Sequence, residues 1–181
     1  MQITVHGTVT KLKGKNVAVG AEAPAARITK LDGSQNVIGM IAPKAQLLIA
    51  IPSLKTEVCS LGAKKFNELV SKYPKLQTIM ITTDDREFVA GYAKEEAIQN
   101  AELVVDEQRA FGKKYGLIIE DGKLKDRLAR AVFLIDTEGV VVYKELVGEI
   151  VDEVDYDKCI AAIEELFSQK KKGHTYENWM G

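Results

Sequence analysis

The chain has 181 residues, of which 46% are hydrophobic and 28% are charged, and its formal net charge at pH 7 is −1. That length fits one domain with a substantial core, and the near-neutral charge gives no reason to expect nucleic acid or an anionic membrane as a partner. The longest apolar run, residues 47–52, is too short to cross a bilayer and the start lacks a secretory signal, so we expect a soluble, cytosolic protein.

The first third of the sequence predicts short strands. Residues 2–12 alternate apolar and polar side chains, which is typical of a half-exposed strand, and after a turn residues 17–20 complete a predicted N-terminal hairpin. Residues 46–51 are almost wholly apolar, as expected of a central strand covered on both faces. A helix is expected over 56–73, where apolar residues recur at helical spacing. Two further strands are predicted at 25–31 and 36–40.

The rest of the chain alternates strands and helices. Strands are predicted at 76–83, 101–107, 129–136 and 140–147, and helices at 85–97, 107–116 and 155–172. The turn "TEG" joins the last two strands as an antiparallel hairpin, and Gly116 ends the short helix before them. This order predicts an α/β fold with a partly parallel sheet. We see no repeat or interdomain linker, and expect one domain over 1–181.

Cys59 lies where a buried strand gives way, after a short loop, to a helix. Unpaired N–H groups and the helix dipole at such a terminus favour a thiolate, which is the nucleophilic form of cysteine. A free cysteine is, however, more often a small buried hydrophobe. Position alone leaves both interpretations of Cys59 open.

The residues around Cys59 carry a family resemblance. The stretch "PSLKTEVC" resembles the peroxiredoxin motif P-x-x-x-T-x-x-C, and "VGAEAP", "KKFNE", "LARAVF" and "KELVGEI" resemble segments of the thiol peroxidase branch of that family. The likeness covers roughly residues 3–167. It implies a thioredoxin-like fold with an added N-terminal β-hairpin, here within 1–20, and it implies a homodimer.

The resemblance also implies roles for four residues. Cys59 would attack the peroxide and become a sulfenic acid, and Thr56 would hydrogen-bond both the sulfur and the peroxide. Pro52 would shield the thiolate from water, and Arg130 would stabilise the thiolate and the leaving oxygen. The alternatives are an N-cap for Thr56, a strand end for Pro52 and a surface ion pair for Arg130. Three other arginines carry no motif and are assigned to solvent: Arg86, Arg109 and Arg127.

The sequence departs from the family at the resolving cysteine. Members of this branch usually carry it in the next helix, in a stretch resembling R-F-C-G, where this chain has Ala93. Cys159 is not at a family resolving position, and its place on the apolar stripe of the last helix favours burial over an unusual resolving role. An external thiol reductant such as thioredoxin is therefore expected. The tail, 169–181, is expected to be a solvated end, with docking through Trp179 beside Tyr176 as the alternative.

The leading hypothesis is a thiol-dependent peroxidase that reduces hydrogen peroxide and organic hydroperoxides in antioxidant defence. The alternative is a redox-sensing binding protein that is switched by oxidation of Cys59. The two histidines, His6 and His174, lie at opposite ends of the sequence and offer no metal-ligand spacing. Since no nucleotide fingerprint occurs either, we expect no metal and no cofactor.

Overall fold

The computed structural model describes the backbone of residues 1–180 and the side chains of residues 1–168. The strands are β1 (Gln2–Val5), β2 (Thr8–Lys13), β3 (Ala26–Lys30), β4 (Gln35–Ile38), β5 (Gln46–Ile51), β6 (Gln77–Thr82), β7 (Glu102–Val105), β8 (Ile118–Ile119), β9 (Ala131–Ile135) and β10 (Val141–Leu146). The helices are α1 (Glu57–Leu69), α2 (Arg86–Glu95), α3 (Ala110–Tyr115) and α4 (Tyr156–Met180), and a 3-10 turn, Val70–Lys72, follows α1.

A mixed sheet forms the middle layer of the molecule. Within the described backbone it has seven strands in the order β10-β9-β5-β6-β7-β3-β4. β5, β6 and β7 run parallel, whereas the pairs on either side of them are antiparallel. The predicted α/β class is confirmed, including the antiparallel β9–β10 hairpin beside the parallel strands.

The two faces of the sheet carry separate cores. Along β5 the side chains of Leu48 and Ala50 join one core, and those of Leu47, Ile49 and Ile51 join the other. Helices α1, α2 and α4 cover the second core, while α3 and the small N-terminal sheet cover the first. This burial on both faces explains why β5 reads as a continuous apolar run in the sequence.

The N-terminal hairpin is present, but its turn was predicted in the wrong place. Val5 of β1 pairs with Thr8 of β2, so the connection is the two residues His6 and Gly7. Their φ values are +51° and +83°, which matches the positive φ that a type I′ turn needs at both central positions. Residues 17–20 do not form the second strand. The apolar alternation continues through the turn and therefore conceals it.

The hairpin extends into a small second sheet that the sequence did not indicate. β8 pairs with the end of β2, which places Ile118 beside Lys13 and Ile119 beside Leu12. A two-residue strand is too short to produce a recognisable alternation. Its effect is to attach the hairpin to the body of the protein on the side where the functional site lies.

Parallel pairing sets the position of that site. β5 and β6 run side by side in the same direction, from Gln46 opposite Gln77 to Ile51 opposite Thr82. The segments that follow the two strands therefore leave the sheet at the same edge. The segment after β5 leads into α1, and the segment after β6 leads into α2.

None of the described helices is long and apolar enough to cross a membrane. The sequence left two interpretations of the tail, 169–181: a solvated end, or docking through Trp179 beside Tyr176. These side chains lie outside the described residues.

Gly116 ends α3, as predicted, with a φ of +70°. A Cβ atom there would lie 2.5 Å from the carbonyl oxygen of Lys15. We expect Gly116→Ala to lower the free energy of unfolding by about 1–3 kcal/mol, because alanine adds both the left-handed strain and this contact.

Gly91→Ala is the matched control, because Gly91 lies within α2 and nothing lies within 4 Å of its added Cβ. Helix propensity predicts a gain of up to about 1 kcal/mol there. Denaturant titration of both variants measures the two effects. Equal stabilities for the two variants would contradict the close approach at Gly116.

Candidate active site

Cys59 is the third residue of α1 and is only 2% exposed. Thr56 precedes the helix as its N-cap residue, with extended backbone angles. The first turn of a helix has N–H groups without intrahelical acceptors, and their partial positive charge favours an anion at this position. The Cys59 sulfur therefore lies where the predicted thiolate gains stabilisation from the helix itself.

Arg130 contacts the sulfur directly. It lies just before β9, is 6% exposed, and its Nη2 atom donates to Cys59 Sγ at 3.1 Å. Nη2 and Nε also donate to the carbonyl oxygen of Ile150, at 2.9 and 3.3 Å. The surface ion pair considered for Arg130 is therefore not what the structure contains.

The buried charge of Arg130 has no carboxylate partner. Among the residues whose side chains are described, none of the ion pairs includes it. A buried cation is costly unless a negative group compensates it. A negative charge on the sulfur at 3.1 Å would compensate it.

Thr56 lies at the site, but its hydroxyl points differently from the expectation. It donates to the carbonyl oxygen of Ser53 at 3.1 Å and makes no side-chain cap bond to α1. Among the described contacts it has no hydrogen bond with Cys59. With its proton engaged, the oxygen of Thr56 can only accept a hydrogen bond from a bound ligand.

Cys59 lies at the base of an open groove with a volume of about 750 Å³. The four predicted site residues, Pro52, Thr56, Cys59 and Arg130, all line it. Its walls are mostly apolar, and they come from the β1–β2 hairpin and from two loops that precede and follow β9–β10. The apolar wall side chains include Val5, Val9, Leu124, Ile150 and Val151, and the polar ones are His6, Thr8, Thr10, Asp121 and Lys123.

Sequence reasoning missed this groove because its walls are far apart in the chain. One contact that holds them is recognisable only in the structure: Glu149 accepts hydrogen bonds from the backbone N–H groups of His6 and Gly7 at 3.3 and 2.7 Å. These bonds hold the hairpin turn against the loop that contains Ile150. Hydrogen bonds from the N–H groups of Val151, Gly7 and His6 lower the pKa of Glu149.

Arg127 was assigned to solvent, and this assignment is wrong. Its Nη1 atom lies 2.7 Å from Asp84 Oδ1, and the Asp84 side chain is 0% exposed. Arg109 also has protein partners, since its guanidinium donates hydrogen bonds to the carbonyl oxygens of Asp106 and Asp126. Arg86 forms a surface ion pair with Glu107.

The second cysteine lies in the core, as predicted. Cys159 is 0% exposed within α4, and burial together with Glu145 raises the pKa of its thiol to about 12. Both Cys59 and Cys159 are free thiols. Ala93, at the usual place of the resolving cysteine, is partly buried in α2 and packs against the same core.

Neighbouring contacts hold α1 and α2 together. The hydroxyl of Tyr92 lies 3.0 Å from Ser60 Oγ and donates to the Ser60 carbonyl oxygen at 3.1 Å. Lys64 and Glu96 form an ion pair at 3.1 Å one turn further along.

Within the described residues, no group of three or more His, Cys, Asp or Glu side chains is arranged to hold a metal ion.

Comparison with known proteins gives the family. The Redoxin family model matches residues 18–160. The chain belongs to this family. It is a peroxiredoxin of the thiol peroxidase branch, since a thiol peroxidase from Campylobacter jejuni is 40% identical over 160 residues, covering 88% of this chain and 90% of the relative. A thiol peroxidase from Aquifex aeolicus is 34% identical over 164 residues, covering 91% and 97%.

Solved structures show the same peroxiredoxin fold. A peroxiredoxin-like protein from Aquifex aeolicus superposes with a TM-score of 0.88 at 34% identity, covering 91% of this chain and 96% of that one. A thiol peroxidase from Chromobacterium violaceum gives a TM-score of 0.83 at 21% identity, covering 94% and 98%. The predicted thioredoxin-like fold with its N-terminal hairpin is therefore confirmed.

The contact between Arg130 and Cys59 in this peroxiredoxin yields a prediction. We expect Arg130→Met to slow oxidation of Cys59 by peroxide by about 10²–10³, because it removes a charge-assisted contact to a developing anion. Stopped-flow measurement of single-turnover oxidation gives the rate constant. The control is Arg86→Met, which removes an arginine from a surface ion pair and should leave the rate unchanged. Rates within a few-fold of wild type for Arg130→Met would show that the guanidinium does not act on the sulfur.

Proposed function

We propose that this protein is a thiol-dependent peroxidase that reduces hydrogen peroxide and organic hydroperoxides through a sulfenic acid at Cys59, in antioxidant defence. The observation that carries the proposal is the 3.1 Å contact between Arg130 Nη2 and Cys59 Sγ at the base of an open groove. The thiol peroxidases among its relatives support the same reaction class.

The first step balances as a two-electron oxidation of sulfur. The Cys59 thiolate attacks the terminal oxygen of the peroxide, an S–O bond forms, and the O–O bond breaks. The departing oxygen leaves as an alkoxide or hydroxide and takes up a proton to become alcohol or water. Arg130 stabilises the thiolate and then the charge on the departing oxygen.

In this proposal Thr56 orients the peroxide and Pro52 shields the thiolate. Thr56 accepts a hydrogen bond from the peroxide O–H, since its own proton is engaged with Ser53. Pro52 is buried and lines the same groove as Cys59, and in this proposal its ring keeps water from the thiolate. A peroxide held in this way reacts at a fixed distance from Cys59, which supplies much of the rate advantage of a bound reactant.

The size of the groove supports organic hydroperoxides as substrates. Hydrogen peroxide needs little more space than a water molecule, whereas the groove volume is about 750 Å³. Apolar walls gain free energy by covering an alkyl group, roughly 25 cal/mol for each Å² removed from water. An extended apolar substituent would therefore strengthen binding while its peroxide group reaches Cys59.

An external thiol completes the cycle. Its thiolate attacks the sulfenic sulfur of Cys59, hydroxide leaves as water, and a mixed disulfide forms; a second thiol then releases Cys59. Cys159 is a poor internal alternative, because a thiol with a pKa of about 12 is almost wholly protonated at neutral pH. A dithiol protein such as thioredoxin fits the role of reductant.

We infer that the chain is a single peroxidase domain over 1–181 that acts as a cytoplasmic homodimer, without a nucleic-acid or membrane partner. The seven-stranded sheet with a core on each face supports a single domain. The two free thiols suit a reducing compartment. The alternative of a redox-sensing binding protein has no contact among the described residues in its favour.

The peroxidase function predicts different results for the two cysteines. With dithiothreitol as reductant, Cys59→Ser should abolish peroxide consumption, because the attacking sulfur is lost. Cys159→Ala should retain most of the turnover, because Cys159 lies in the core of α4 away from the groove lining. If the Cys159 variant lost as much activity as the Cys59 variant, Cys159 would belong to the catalytic cycle.

The position of Ala93 predicts that a cysteine introduced there protects the enzyme against inactivation by excess peroxide. Without a nearby thiol, excess peroxide should convert the Cys59 sulfenic acid to the sulfinic acid and inactivate the enzyme. Ala93→Cys should instead give an intramolecular disulfide that protects activity, once the contacts between α1 and α2 open.

Gly91→Cys is the matched control, because it places a thiol on the exposed face of the same helix. Residual activity after graded peroxide exposure compares the three proteins. If Gly91→Cys protected as well as Ala93→Cys, protection would not depend on the family position.

A further inference from the structure

Asp84 is a buried carboxylate at the edge of the sheet where the active site lies. It follows β6, and its side chain is 0% exposed. Cys59, Thr56 and the turn before them follow the neighbouring strand β5. Asp84 does not line the groove and therefore does not meet a substrate.

Four hydrogen bonds fix the Asp84 carboxylate. Oδ1 accepts from Ser53 Oγ at 2.8 Å and from Arg127 Nη1 at 2.7 Å. Oδ2 accepts from the backbone N–H of Leu54 at 2.7 Å and from Thr82 Oγ1 at 3.0 Å. A carboxylate with this many donors and an arginine partner satisfies the requirements for burying a charge.

Two of these donors belong to the turn that contains Thr56. Ser53 donates its hydroxyl to Asp84, and its carbonyl oxygen accepts both the N–H of Thr56 at 3.3 Å and the Thr56 hydroxyl at 3.1 Å. Ser53 Oγ also accepts the N–H of Lys55 at 3.2 Å. The carboxylate therefore fixes the residue that in turn orients Thr56 at the start of α1.

Arg127 links the same carboxylate to the groove wall. Its carbonyl oxygen accepts the N–H of Ile119, and it follows the loop whose residues 121–124 line the groove. The ion pair with Asp84 is partly shielded, with the Arg127 side chain 31% exposed. One carboxylate thus connects the turn before α1 with the segment that follows the groove-lining loop.

We propose that Asp84 is a positioning residue for peroxide reduction at Cys59, and that Arg127 is its counterion. Asp84 holds Ser53 and Leu54 so that the oxygen of Thr56 faces the peroxide that attacks Cys59. This inference rests on the peroxidase function proposed above and assigns to it two residues that never touch the substrate.

Asp84→Asn tests the proposal with almost no change of volume. The new amide places donor hydrogens against existing donors, so Ser53 or Leu54 must shift. A small displacement of an orienting group is enough to slow the reaction with peroxide by roughly 100-fold. Alkylation of Cys59 by iodoacetamide, which needs neither Thr56 nor a bound peroxide, should change less than about threefold. Equal losses in the two rates would contradict positioning and indicate general damage to the site.

Coupling to Thr56 separates positioning from a general structural role. In a Thr56→Val background there is no hydroxyl left to orient, so Asp84→Asn should slow oxidation by less than about threefold. A full 100-fold loss in that background would overturn the inference. A wild-type protein that consumed no peroxide would contradict the peroxidase function itself, whereas an active wild type with an equally active Asp84→Asn variant would contradict only the role of Asp84.

Two milder variants keep the test decisive if Asp84→Asn fails to fold. Ser53→Ala removes one donor, and Arg127→Met removes the counterion from a partly exposed position. Each should slow peroxide oxidation roughly tenfold, with iodoacetamide alkylation unchanged, since each loses one charge-assisted hydrogen bond. Arg86→Met is the matched control, because its ion pair with Glu107 has the same 2.7 Å separation at the surface. Wild-type peroxide rates in both Ser53→Ala and Arg127→Met would overturn the proposal.

Discussion

The guanidinium of Arg130 lies 3.1 Å from the sulfur of Cys59, and both side chains are almost fully buried. A charge in that position needs compensation, and among the described contacts its hydrogen-bond partners are the sulfur and the carbonyl oxygen of Ile150. The local arrangement follows from this requirement. The sulfur is at a helix N-terminus, Ile150 supplies a carbonyl oxygen to the same guanidinium, and Cys59, Thr56 and Arg130 line one groove. The arginine and the helix N-terminus are thus two independent sources of positive potential at the sulfur.

The two cysteines show how environment decides reactivity. Cys59 and Cys159 are both buried thiols in the same core cluster, and the sequence around each reads as an amphipathic helix. Cys159 lies within α4, close enough to Glu145 that burial and this negative charge raise its pKa to about 12. Cys59 instead has an arginine, a helix terminus and a groove. Because Ala93 stands at the usual place of the internal partner, the proposed cycle relies on an outside thiol after oxidation.

Much of the fold was predictable because it depends on local patterns. Continuous burial on both faces gives β5 its apolar run, and helical spacing marks α1 and α4. The hairpin turn at His6 and Gly7 was missed because the alternation of apolar residues runs through it, and β8 was missed because two residues form no pattern. In the site, two motifs indicated Cys59 and Arg130, although these residues lie 71 positions apart in the chain. The groove, the direction of the Thr56 hydroxyl and the ion pair of Arg127 with Asp84 depend on contacts between distant segments. Sequence periodicity carries no information about them.

The central claim is that Cys59 alone reacts with peroxide and remains a sulfenic acid until an external thiol arrives. Intact-mass spectrometry of the reduced wild-type protein, after one equivalent of hydrogen peroxide without reductant, tests it most directly when combined with dimedone trapping and peptide mapping. The account predicts a product heavier by one oxygen, with dimedone on the peptide that contains Cys59 and a free thiol at Cys159. A product lighter by two hydrogens, with the Cys59 and Cys159 peptides joined by a disulfide, would contradict it.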